Sequence, residues 1–288
     1  MNEIDPPALQ RLLAAHWPRL ASVIPRARSL GADWTRMSTP FVRFEGDEPI
    51  AHVGVLEIPL VIDGTPVTAA GIHAVCTAAP WRGRGHSRAL MERALAWADA
   101  RTDTVVLHAN DPALYERYGF RAVPQSVWTT PAPDVTRTRA MPVLSDRRSA
   151  DVDTVLRSFR GRVPVAHALG VGEAAELFVL DEVLGTGGFA RLWWSERLGC
   201  VVAAQIDEDD EGEDDVLRIY DVVGPRFPAL SEIVAEIDGQ IARVEVYFAP
   251  ERWPQHDWVP RPLASPDTLM VRGRFTNAAI AVPPLARC

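Results

Sequence analysis

Apolar residues recur at helical spacing near the N-terminus. Leu9, Leu12, Leu13, Trp17 and Leu20 mark residues 7–24 as helical, and Pro18 predicts a break or kink inside that stretch. From Phe41 the period shortens. The runs FVRFEGD, AHVGVLEIPLVIDG and TPVTAAGIHAVCTAA read as strands separated by Gly, Asp and Pro turns, with Asp63-Gly64 as a hairpin turn. PWRGRGHSRALMERALAWADART then runs from an Arg/Gly loop into an amphipathic helix whose apolar face is Leu90, Ala94, Leu95 and Ala98. TVVLHA is a short buried strand, PALYERYG a short helix ending at Gly119, and Phe120 to Thr130 a further strand.

Residues 130–146 carry three prolines and little periodicity, which predicts a crossing into a second domain. A helix is expected over Ala150–Phe159, followed by strands in ARLWWSE and GCVVAAQI. Beyond an acidic stretch come a strand in VLRIYDVVG, a helix over PALSEIVAEIDGQI and a strand in ARVEVYFAP. The order of strands and helix repeats that of the first half, without a repeat in the residues themselves.

Charge sharpens this division. The 288 residues carry 30 basic and 38 acidic groups, a formal charge of -8, and every basic residue is arginine. Asp207 to Asp215 holds eight of the acids, so the rest of the chain balances at 30 against 30. The expectation is a balanced protein with one acidic hairpin loop, solvated or facing a cationic acceptor. No basic footprint for nucleic acid and no apolar run of membrane-spanning length is present. The acidic, proline-bearing start does not resemble a secretory signal, and Cys76, Cys200 and Cys288 are sparse and lack metal spacing. A cytoplasmic protein with free thiols and no metal site is expected.

The chemistry concentrates where a strand ends near Thr77 and a helix starts near His86. Free amide groups at a helix start attract anions, and Gly83 and Gly85 let the backbone approach a phosphate. The segment Arg82-Gly83-Arg84-Gly85-His86-Ser87 resembles the Gln/Arg-x-x-Gly-x-Gly/Ala element of the GNAT superfamily of acyl-CoA N-acyltransferases. It departs at Ser87, a small residue able to donate to a phosphate. About thirty residues on, Leu114-Tyr115-Glu116-Arg117-Tyr118-Gly119-Phe120 resembles that family's second hallmark. The resemblance covers about residues 40–125.

It implies an acetyl-CoA co-substrate held by Val75, Cys76 and Thr77 on a strand edge, by Arg82 through Arg88, and by Asn110. It implies direct attack of an amine on the thioester, with Tyr115 as general acid toward the leaving thiolate. His73 is the candidate base, with Glu57 and His108 as rivals; Cys76 reads as a buried apolar residue rather than a nucleophile.

The whole chain is similar to the enhanced-intracellular-survival branch, with two tandem GNAT-like domains but no residues left for its sterol-carrier-like domain. The implied fold is α/β (α+β), each domain a mixed, mostly antiparallel sheet flanked by helices. Residues 1–138 would bind acyl-CoA, and residues 139–288 would form a degenerate copy, since Met270-Val271-Arg272-Gly273-Arg274 lacks the second glycine. In that branch the terminal carboxylate, here that of Cys288, can act as base. The acceptor is a small-molecule or peptide amine, a homodimer is compatible, and the rival function is an acyl-CoA-binding sensor that has lost turnover.

Overall fold

The computed structural model describes residues 6–208 and 215–284. The chain does break at Pro18: α1 covers Pro6–His16 and α2 Leu20–Ser29, the latter running on past the expected end at residue 24. After the short helix α3 (Trp34–Met37) come three long antiparallel strands, β1 (Ser38–Glu45), β2 (Glu48–Ile62) and β3 (Thr65–Thr77). Asp63 and Gly64 both have positive φ, 49° and 75°, the backbone that a two-residue hairpin joining right-twisted strands requires. A single 3-10 turn (Ala79–Trp81) leads to α4 (His86–Asp99), which buries Leu90, Met91, Ala94, Leu95 and Ala98. Then follow β4 (Thr104–Ala109), α5 (Ala113–Glu116), β5 (Arg121–Val123) and β6 (Ser126–Pro131).

The later residues form α6 (Ser149–Ser158), β7 (Leu169–Val171), α7 (Ala175–Thr186), β8 (Leu192–Ser195), β9 (Cys200–Glu208), β10 (Asp215–Val223), α8 (Leu230–Ala235), β11 (Ile241–Val246), β12 (Val259–Pro262) and β13 (Thr268–Gly273). The helix expected over residues 228–241 is thus only six residues long. The single strand expected over Phe120–Thr130 is two: Pro124 has no N–H to continue a ladder, and the chain changes sheet there.

Two mixed sheets result, flanked by helices. One runs β1-β2-β3-β4-β13-β5 with β7 on the far end of β2, the other β12-β6-β11-β10-β9-β8. The sheets exchange strands. β6 leaves the first half to pair with β11 and β12, while β13 returns from the second half to lie between β4 and β5. Arg272 of β13 pairs with Asp99 at the end of α4, and Gly273, at φ 85°, lets the backbone press against the Asp103 carbonyl where any Cβ would collide. The Arg-Gly-Arg that fails as a phosphate loop is therefore a strand end built for close docking.

Inside the second half, Arg162 and Asp221 form an ion pair of 2.7 Å with both side chains 1% exposed. The Asp221 carboxylate also accepts the Val222 amide, and Arg162 lies over the Phe159 ring. Removing one partner of such a pair strands a buried charge. Asp221→Ala is expected to cost about 3–5 kcal/mol in denaturant unfolding. The double variant Arg162→Met with Asp221→Leu should recover most of that loss.

Candidate active site

The parallel neighbours β3 and β4 pair only at Ala70–Val105 and Gly71–Val106. Beyond that point they diverge, and the stretch from His73 to Thr77 keeps β2 as its strand partner on one edge only. A bulge marks the divergence: Ala74 and Val75 stand opposite Val53 alone, and Ala74 has φ 49°. A non-glycine residue there needs support. His52, fully buried on β2, supplies it by donating Nδ1–H to the Ala74 carbonyl at 2.8 Å. Burial holds the His52 pKa down at about 4, so the ring is neutral.

At the end of β3 the chain turns into the Arg/Gly loop. Gly83 and Gly85 have φ of 74° and 80°, and a Cβ at either would meet only open space. Gly85 is the N-cap of α4, and no side chain caps the helix, so the amides of its first turn point outward. The loop is held by its own side chains. Arg82 Nε donates to the Thr77 carbonyl at 3.1 Å, and Arg84 lies over the Trp81 ring at 4.7 Å. The Ser87 hydroxyl bonds Thr77 Oγ1 at 2.5 Å, stitching the start of the helix to the end of the strand. Arg88 pairs with Glu92 on the exposed face of α4. The helix of the second half differs: Glu232 accepts the Ala229 amide at 2.9 Å, so α8 starts on its own carboxylate.

Val75, Cys76, Thr77, Arg82, Gly83, Gly85, His86, Ser87 and Arg88 line one groove of about 510 Å³, together with Tyr118. Arg84 stands outside that lining. His73 and Asn110 line a second cavity, of about 700 Å³, walled by α1, α2 and β4 and by Leu177, Leu180 and Asp181 of α7. Tyr115 and Val75 line both spaces, as do His16 and Leu114. Tyr115 sits at the junction, whereas Tyr118 faces only the loop. Burial, then the neighbouring Tyr118 and Asp111, raise the Tyr115 pKa, so the phenol stays protonated. Burial pushes the Cys76 thiol up to about 12, which removes nucleophilic thiolate at neutral pH.

His73 projects into the cavity with Nε2 2.8 Å from Ser38 Oγ and its ring against Trp34. Burial, reinforced by His52, lowers its pKa to about 3. Gly54 exists for this ring, because a Cβ there would collide with it. His108 lines the same cavity; Glu57 is exposed and outside it. Residues 209–214 of the acidic stretch and Cys288 lie outside the described residues.

Two residues at this site carry no motif. His16 ends α1 with Nε2 3.1 Å from the Thr77 carbonyl and Nδ1 3.0 Å from that of Leu12. Only the proximity of α1 to β3 reveals it. His52 reads in sequence as one more position in a buried strand.

A family model described as an acetyltransferase (GNAT) domain matches residues 25–123. The fold of the whole chain is similar to that of Eis1 from Mycobacterium abscessus, with TM-score 0.57, 16% identity, and 90% of this chain and 71% of that one covered. It is similar too to a conserved protein of Enterococcus faecalis V583 described as a probable N-acyltransferase, with TM-score 0.56, 15% identity, and 93% and 69% covered. No curated protein matches the chain in sequence.

The two lowered histidines fix a pH dependence. Their folded pKa values, about 4 and about 3, lie below the ordinary 6.5, so the unfolded chain binds more protons in weak acid. Their contribution to stability is complete above pH 6.5 and is lost as pH falls toward those values. Denaturant midpoints at pH 7.5 and 5 should differ less in His73→Gln than in the parent. Equal differences would show that His73 is not desolvated.

Proposed function

We propose that this protein, a GNAT acyltransferase of tandem-domain architecture, transfers the acetyl group of acetyl-CoA to an amine by direct attack. The observation that carries this reading is the meeting of a glycine-bounded anion groove and a mostly apolar cavity at Tyr115, where β3 and β4 part. The residues present suit the co-substrate. The uncapped start of α4 and the open space over Gly83 and Gly85 would receive a pyrophosphate, and the His86 Nε2, buried without a partner, faces the same groove. The edge of β3 from Val75 to Thr77 offers backbone groups to the pantetheine arm and to the thioester oxygen. Arg82 supports that edge through Thr77, and Asn110 is placed to bond the arm from the cavity side. Arg84 contributes its backbone amide.

Tyr115 would give its proton to the departing thiolate. His73, with a pKa of about 3, is too weak a base for a free ammonium at pH 7. The amine reaches the carbonyl neutral, its ammonium proton lost to water; His73, its ring held by Ser38, can take the second proton once attack has made that nitrogen far more acidic. This weakness favours one alternative, an acyl-CoA-binding sensor with little turnover. We place acyl-CoA binding in residues 1–138 and a wall of the acceptor site in the degenerate residues 139–288; the division is one of function, since the sheets share strands. Free, buried Cys76 and Cys200 suit a reducing cytoplasm.

Acetyl-CoA at about 100 times its Kd should stabilise the fold by about 2.7 kcal/mol in thermal or chemical unfolding. Absence of any shift would remove the co-substrate. Tyr115→Phe should cut thiol release about 100-fold or more with acetyl-CoA affinity unchanged. Unchanged turnover would take the acid role from Tyr115, and no thiol release by the parent across an amine panel would select the sensor.

A further inference from the structure

The 700 Å³ cavity has a chemistry that names its occupant more closely than "an amine". Its walls include Leu20, Trp34, Leu107, Leu177 and Leu180. Five large apolar side chains are exposed among the described residues, and three of them, Trp17, Leu114 and Leu184, stand around this one cavity. Scattered exposed leucines need no explanation, but apolar residues gathered at the mouth of an apolar cavity mark a surface that a ligand covers. The volume is that of a site for a drug-sized molecule.

The charged groups are mostly of one sign, and His16, His73, His108, Asn110 and Tyr115 are the other polar side chains of the lining. Asp111, Asp181 and Asp267 line the cavity against a single, exposed cation, Arg19. Asp111 accepts the Ala113 amide, and Asp181 lies one helical turn from Leu184 on α7. His73 is neutral. A cationic head is thus attracted into a space whose lining is mostly apolar. Burying a polyhydroxylated or polycationic body there would set more polar groups against leucine and tryptophan than the few polar side chains of the lining can pair.

We infer that the acceptor is a lipophilic primary amine, an ammonium head on a bulky aromatic or aliphatic body, admitted between α1, α2 and α7. The inference rests on the acyl-transfer reading of the site and names its substrate class. The second half of the chain sets this specificity through Leu177, Leu180, Asp181 and Leu184.

The test is calorimetric titration of the full chain without acyl-CoA, so that amine binding is read apart from turnover. Tryptamine is the probe. Glucosamine and spermidine are the polar amines, and indole-3-propionate carries the same body on a carboxylate. Tryptamine should bind at least about tenfold tighter than the other three, which corresponds to about 1.4 kcal/mol. Leu184→Arg, at an exposed position, should weaken tryptamine about tenfold with Tm unchanged, and Asp181→Asn should weaken it by a similar factor. Equal or tighter binding of spermidine or glucosamine overturns the proposal, as does equal binding of indole-3-propionate. So does unaltered tryptamine binding in Leu184→Arg. Displacement of tryptamine by octanoyl-CoA but not acetyl-CoA also overturns it, by giving the cavity to an acyl chain. Tryptamine binding without thiol release would sink the enzymatic reading alone; thiol release with a preference for polar amines would sink this one alone.

Discussion

Everything at the site depends on two parallel strands that stop pairing. Once β3 and β4 separate after Gly71 and Val106, the end of β3 offers a backbone edge that no strand of the sheet takes up. An unpaired edge in the middle of a sheet costs hydrogen bonds, and the protein directs that cost to one place. The bulge at Ala74 turns the strand outward, His52 holds the bulge by its carbonyl, and Trp34 packs against both His52 and His73. Neutral imidazoles are the right groups for this, because a charged ring could not be buried there without a counter-charge.

The second half of the chain completes the first. It lacks the features that would make its own helix start an anion site: α8 is short and begins on Glu232. In that half, β10 and β11 pair over five positions, so the corresponding parallel strands hold together further. What it lends instead is α7, which walls the 700 Å³ cavity, and β13, which fills the gap between β4 and β5. A single candidate site thus draws on both halves of the chain.

What was legible in the sequence was local. The Asp63-Gly64 hairpin, the break at Pro18, the apolar face of α4 and the glycine loop before it are set by neighbours a few residues away, and each stands where the residues placed it. The helix α7 was missed, because the run Leu177–Leu180 is apolar on every side and gives no amphipathic period; tertiary burial explains why. β13 was missed for a related reason, since Thr268–Gly273 gains its meaning only from Asp99 and Asp103 far back in the chain. His16 and His52 gave no signal at all, since each reaches a carbonyl of β3 that lies far from it in sequence. Ser87 lines the groove, and its bond to the Thr77 hydroxyl, which joins helix start to strand end, is a contact between residues ten apart that the motif does not announce.

The position of β13 has a consequence for how the molecule comes into being. The first sheet lacks an interior strand until about residue 270 has been synthesised, although most of its other strands are made within the first 123 residues. On the ribosome, β4 and β5 would wait beside an open slot with their ladder edges bare, a situation that invites mispairing and engages chaperones. The cleft between β3 and β4 takes its final shape only when the late strand locks into the slot. Birth of a competent site is therefore coupled to near-completion of the polypeptide, and a chain cut short before that strand would be left without its own closing stave.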